Sequence, residues 1–353
     1  MTHLSALMLA CVALSASAIA QDEPPKTAEN AALPDEITPQ LDAAATKGLA
    51  WLARQQLADG SFGDGRLGPN VAVTSLACLA FMADGHLPGR GEYGEVVRKG
   101  LEFVVSKSGE SGLVADDGAH GPMYGHGFAT LFLGEVYGMS GAESDQEISR
   151  LHEVLTKAVR LIETTQNEEG GWRYNPIPFD ADVSVTICQV MGLRSARNAG
   201  IEVEKAVIDK AVDYVKRCQN PDGGFRYQQQ FGSSGWARSA AGVATLYYAG
   251  EYENPAVTRG LDYLNSEGLP GVRRNAVTTR PHYFYGHYYA VQVMYLAGED
   301  KWAKWWPAIR DELIANQEID GNWSDPSFGS VYGTSMALIV LQMPKRYLPI
   351  FQR

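Results

Sequence analysis

The chain has 353 residues, 30 Lys and Arg against 41 Asp and Glu, and a formal net charge of −11. No basic cluster interrupts that acidic balance, which sets nucleic acid aside as a partner. Four cysteines, widely separated, make neither a disulfide framework nor a metal-ligand spacing, so the three beyond the first stretch (Cys78, Cys188 and Cys218) read as buried free thiols.

Residues 1–20 carry no Asp, Glu, Lys or Arg, and an apolar run from Leu4 to Leu14 leads into Ser17-Ala18-Ile19-Ala20. This pattern predicts a secretory signal peptide cleaved before Gln21, hence export to a periplasmic or extracellular space. The run is too short to span a bilayer, and no later stretch predicts a transmembrane segment. Met8-Leu9-Ala10-Cys11 matches a lipoprotein site only loosely, because the apolar run continues past Cys11. Residues 21–40 are rich in Pro, Glu, Asp and Ala without apolar periodicity and read as a flexible leader.

Residues 41–353 are large for one globular core and ordinary for a ring of repeats. Four segments share a helical apolar stripe followed by Gln, three residues, Gly, one residue and an aromatic: Gln56-Gly60-Phe62, Gln166-Gly170-Trp172, Gln219-Gly223-Phe225 and Gln317-Gly321-Trp323. Degenerate units opening at Gly100-Leu101 and Gly260-Leu261 fill the gaps, making six. Each unit reads as an amphipathic helix, a Gly-rich turn, and a second helix that is apolar all round, as in Ser75-Leu76-Ala77-Cys78-Leu79-Ala80. Alternating half-exposed and buried helices predict an all-α (α/α)6 toroid, six inner helices inside six outer ones.

The Gln-x-x-x-Gly-x-Trp pattern resembles the QW repeat of squalene and hopene cyclases, and the resemblance covers nearly all of residues 41–353. Protein prenyltransferase β-subunits are similar, with looser versions of the repeat. The resemblance implies a toroid whose inner-helix starts ring a central cavity. Physically, the motif is expected to act as a clasp, the Gln bonding backbone at a helix end while the aromatic packs on the next unit.

Aligned by the repeat, the inner-helix starts place Thr74, His126, Ser184, Arg238, His287 and Thr334 at one level. Two residues earlier come Ala72, Tyr124, Asp182, Trp236, Tyr285 and Tyr332. As a set these are expected to line a pocket, with Tyr124, Trp236, Arg238, Tyr285, His287 and Tyr332 as ligand-binding residues. Singly, each reads as well as a hydrogen-bonded core group. Six convergent helix N-termini would favour an anionic or electron-rich ligand.

Phe179-Asp180-Ala181-Asp182-Val183 resembles the Asp-x-Asp-Asp motif of class II terpene cyclases with its third acid replaced by Val183. That resemblance implies Asp182 as a proton donor, with Asp180 and His126 beside it. The local reading competes: Asp182 is a good N-cap, and cationic neighbours at His126 and Arg238 would lower its pKa, suiting an ion pair or a base. A prenyltransferase zinc site needs a Cys two residues after the Asp, where this chain has Ser184. His126 and His287, on opposed helices roughly 16–20 Å apart, are too distant to share a metal. Asp116, Asp117 and His120 form a second, loop-borne cluster. No cofactor and no metal are expected. Three functions stay open: a binding or scaffold toroid with an apolar or mixed ligand, an isoprenoid-active enzyme with Asp182 as acid, and a polysaccharide lyase or hydrolase using His126, Arg238 and His287 on a glycan. A protein partner or a homo-oligomer fits the repeated Trp172-Arg173-Tyr174 and Phe225-Arg226-Tyr227 turns.

Overall fold

The computed structural model describes residues 36–116, 121–139, 145–266, 270–271, 277 and 280–352. The expected signal peptide, the expected leader up to residue 35, and Asp117 and His120 of the loop cluster lie outside them. Among the described residues there are twelve α-helices and no strand.

Six of them are outer helices: α1 (Pro39–Ala53), α3 (Gly94–Ser106), α5 (Asp145–Thr164), α7 (Lys205–Arg217), α9 (Pro255–Ser266) and α11 (Glu299–Ala315). They alternate with α2 (Val71–Met82), α4 (Met123–Met139), α6 (Val183–Asn198), α8 (Trp236–Tyr248), α10 (Tyr283–Leu296) and α12 (Ser330–Leu341). In α2 and α12 nearly every residue is buried, polar Thr74, Ser75, Thr334 and Ser335 included, whereas α7 buries only Val207, Ala211, Val212, Tyr214 and Val215. Each inner helix touches the next, and α12 returns to α2. The expected double ring is therefore closed.

The Gln clasp is what joins neighbouring units. Gln56 Nε2 donates to Gly60 O at 3.0 Å and to Val96 O of α3 at 2.8 Å. Gln166 does the same to Gly170 O and Val207 O, and Gln219 to Gly223 O and Ala256 O. Gln317 reaches Gly321 O and Ala44 O of α1, both at 2.8 Å, which ties the sixth unit to the first. The turn glycine must be glycine twice over. Gly170 has φ +99°, and a Cβ there would lie 2.2 Å from Lys210 O on the next outer helix. The indoles of Trp172 and Trp323 donate back to Ile162 O and Leu313 O.

The packed chain starts before residue 41. Glu36 is buried, accepts from Trp302 Nε1 at 2.6 Å, and pairs with Arg346 at 3.2 Å. Midway along α10 the buried Tyr288 and Tyr289 pack edge to face, and the buried Ile350 and Phe351 belong to a short 3-10 turn (Pro349–Phe351) that packs against α4 and α6. All three described cysteines are buried and free, as expected.

Candidate functional site

At the N-terminal ends of the inner helices the ring is hollow. A cavity of about 730 Å³ takes lining from all six: Val71, Ala72 and Leu76 of α2, Tyr124 and Phe128 of α4, Ser184 of α6, Ala237 and Arg238 of α8, Tyr285 of α10 and Tyr332 of α12. Turn residues Tyr174, Tyr227 and Phe328 complete the wall, while Arg66, Asp116 and His282 stand at the rim. His282 holds a left-handed φ of 56° as the residue before α10.

The sequence alignment of the inner-helix starts is wrong in two units. The level occupied by Thr74, His126 and Thr334 is filled by Thr186 and Ser239, not by Ser184 and Arg238. Each of these five side chains accepts from the backbone N–H two residues after the turn glycine: Phe62 to Thr74, Val114 to His126, Trp172 to Thr186, Phe225 to Ser239, and Trp323 to Thr334. Thr74, His126 and Thr334 of the polar ring expected at the pocket are thus turned away from it, and with Thr186 and Ser239 they fasten each turn to its own inner helix. Helical rotation then turns the residues two positions earlier toward the centre: Ala72, Tyr124, Ser184, Ala237, Tyr285 and Tyr332.

His126 is thus a wall residue. Its Nδ1 accepts from Val114 N–H at 3.1 Å and its Nε2 meets Ala158 O at 3.1 Å, so it is neutral, and burial lowers its pKa to about 4. His287 and Trp236 also lie away from the cavity. The imidazole is buried between the rings of Trp236 (4.8 Å), Tyr283 (4.4 Å) and Trp305 (5.8 Å), and burial holds its pKa well below the usual value. Of the expected ligand-binding residues, Tyr124, Arg238, Tyr285 and Tyr332 line the hollow.

Asp182 is the N-cap of α6, its Oδ1 accepting from Val185 N–H at 2.9 Å. It is fully buried and sits behind Tyr227, whose Oη donates to Asp182 Oδ2 at 3.0 Å. Tyr174 Oη is hydrogen-bonded in turn to Tyr227 Oη. The cationic neighbour is neither His126 nor Arg238 but Arg173, with Nε 3.7 Å away, its guanidinium paired to Asp180 and lying over the rings of both tyrosines. The expected lowering of the carboxyl pKa is overturned. Desolvation outweighs the bonds and Arg173, and raises it to about 6.

Four of the six inner-helix N-termini have their first N–H groups bonded within the ring rather than free toward the cavity. The first N–H groups of α12 are taken by Asp64 of the first unit, that of α2 by Asp116, and those of α4 and α6 by the carbonyls of Tyr174 and Tyr227. Each cap crosses from one unit to its neighbour, so the dipoles stabilise the ring. Among the described residues no group of three or more His, Cys, Asp or Glu side chains could hold a metal, and no helix is long and apolar enough to cross a membrane.

Known proteins share parts of this arrangement. Residues 144–297 match the family described as squalene-hopene cyclase C-terminal domain. A squalene–hopene cyclase of Bradyrhizobium diazoefficiens is 28% identical over 159 residues, 40% of this chain and 23% of that protein. A probable squalene–hopene cyclase of Sinorhizobium fredii is 28% identical over 161 residues, 40% of this chain and 24% of that protein. The chain thus matches about a quarter of the length of these curated relatives. Among solved structures, a type II terpene cyclase variant from Scytonema in complex with geranylgeranyl dihydroxybenzoate superposes with a TM-score of 0.61 at 13% identity, covering 88% of this chain and 98% of that one. A D-mannose isomerase superposes with a TM-score of 0.63 at 12% identity, covering 89% and 99%. At such identities the likeness is one of fold. With the closed ring, these matches show a helical toroid fold similar to that of terpenoid cyclases, with squalene-hopene cyclase similarity over residues 144–297.

Proposed function

We propose that the chain, once exported by its N-terminal signal sequence, binds an elongated apolar ligand of isoprenoid type in the central cavity. The observation that carries this reading is the wall: all six inner helices contribute, five of them with aliphatic or aromatic side chains and α6 with Ser184, and five tyrosines stand around one hollow of about 730 Å³. That volume lies within the range of small-molecule sites, roughly 300–1,000 Å³, where apolar walls carry a few placed polar groups. The isoprenoid bound by the Scytonema cyclase on the same fold supports the ligand class.

Direct protonation of a ligand by Asp182 has weaker support, because the carboxylate is absent from the cavity wall and meets it only through a phenol. A glycan-cleaving reading has weaker support still, since His126 has both ring nitrogens committed to backbone. Calorimetric titration of the chain with geranylgeraniol tests the proposal. One equivalent is expected to bind, and Ala237→Phe, which fills the cavity from α8, is expected to cut affinity at least tenfold without lowering the melting temperature. No binding, or binding indifferent to a filled cavity, would overturn it.

A further inference from the structure

The hydroxyls in the cavity wall have a direction. Tyr227 has one proton, and it is given to Asp182 Oδ2 at 3.0 Å. The Tyr174–Tyr227 bond then takes its proton from Tyr174. A third cavity phenol, Tyr285, donates to Ser184 O at 3.3 Å. Three of the five tyrosines around the hollow have therefore spent their only protons on the protein, and the lone pairs left to a ligand are acceptors. Two of them end on a carboxylate with no water-exposed surface, next to Arg173, which polarises the chain along its length. An acceptor in an apolar wall is satisfied only by a ligand that brings a donor. An ether, a ketone or a bare hydrocarbon would leave it desolvated and unpaired.

We infer that Tyr174 and Tyr227, aligned by Asp182, select ligands whose apolar body carries a hydroxyl, so that the preferred class is a long-chain or polycyclic alcohol. The ligand O–H donates to a tyrosine Oη, that tyrosine's proton already points along the chain, and no covalent bond changes. This rests on the proposed function of the same cavity, and it names the polar end of its ligand.

The test compares geranylgeraniol with its methyl ether, which keeps the oxygen and the chain but has no proton to donate. In the unmodified chain the alcohol is expected to bind about tenfold more tightly than the ether, the worth of one hydrogen bond to a charge-polarised acceptor. In Tyr174→Phe combined with Tyr227→Phe that ratio is expected to fall close to one. The melting temperature of the double variant establishes that it is folded, and Tyr174→Phe alone serves where the pair does not fold. Equal affinity for alcohol and ether in the unmodified chain, or a ratio that survives both substitutions in a folded protein, overturns the inference while leaving cavity binding intact. Failure of both ligands to bind overturns the two readings together.

Discussion

Tyr227 donates its hydroxyl proton to Asp182 at 3.0 Å, so this fully buried aspartate meets the cavity through a phenol rather than across open space. The same carboxylate caps α6 through Val185 N–H. Asp182→Ala removes both contacts and strands a hydroxyl, with an expected loss of about 2–4 kcal/mol in chemical denaturation. Asp182→Asn keeps the cap oxygen and is expected to cost about 1 kcal/mol. If Ala proved as mild as Asn, Asp182 would have no part in holding α6.

His126 supplies in the second unit the acceptor that Thr74 and Thr334 supply in theirs. His126→Ala leaves the Val114 N–H and the Ala158 carbonyl without partners inside the wall, and an expected cost of about 2–4 kcal/mol follows. His126→Thr restores the bond from Val114 and is expected to recover part of that loss. Neither change should alter geranylgeraniol affinity in a folded sample, because the imidazole does not line the cavity. A binding defect in folded His126→Thr would return the histidine to the site.

Gln317 and Gln219 make matching clasps, but only Gln317 joins the last unit to α1. Alanine deletes both clasp bonds at either position, worth about 1–3 kcal/mol in all, and at Gln219 also the bond its Oε1 accepts from Arg259 at 2.6 Å. The two variants separate in amide exchange. Gln317→Ala is expected to loosen protection in α1 and α11, whereas Gln219→Ala loosens α7 and α9. Equal patterns would mean that closure of the ring contributes nothing of its own.

Glu135 is buried beneath the cavity, accepting from Ser195 Oγ at 2.7 Å and from Ile350 N–H at 3.0 Å. Desolvation raises its pKa from 4.5 to about 7. Between those two values the folded state keeps a proton that the unfolded chain has released, so stability falls as pH rises through the window and the loss is complete above it. Asp182, raised to about 6, contributes with the same sign. In Glu135→Gln the amide can still accept from Ile350 and donate to Ser195, which frees the serine's one proton from the carboxylate to go to Leu131 O, 3.1 Å away. It is expected to be more stable than the parent at pH 8 by about 1–3 kcal/mol and to flatten the slope between pH 5 and 7. An unchanged slope would remove Glu135 from the titration.

Much of the architecture was legible in the sequence because its causes are local and repeated. The Gln and Gly of each turn act within a few residues of one another, and an inner helix such as α12 is apolar on every side, so it can only be interior. Six such hairpins leave few ways to close, and the central hollow lies where the inner-helix starts predicted it.

Which side chains face that hollow depends on distances that the chain does not print. Between the turn residue and the side chain it bonds there are 12 positions at Thr74 and His126, 14 at Thr186 and Ser239, and 11 at Thr334. A slip of one or two residues rotates a helix by a third to a half of a turn, and it brought Ser184 and Arg238 into the wrong ring. The surroundings of Asp182 are likewise tertiary. Tyr227 arrives from the fourth unit, 45 residues along the chain, and the absence of water rather than any sequence neighbour sets the carboxyl's pKa. Periodicity determines that a ring forms, because helix-forming patterns and turn chemistry act at short range. Burial and proton direction inside the ring emerge only when six units pack together, because they are properties of the assembled wall.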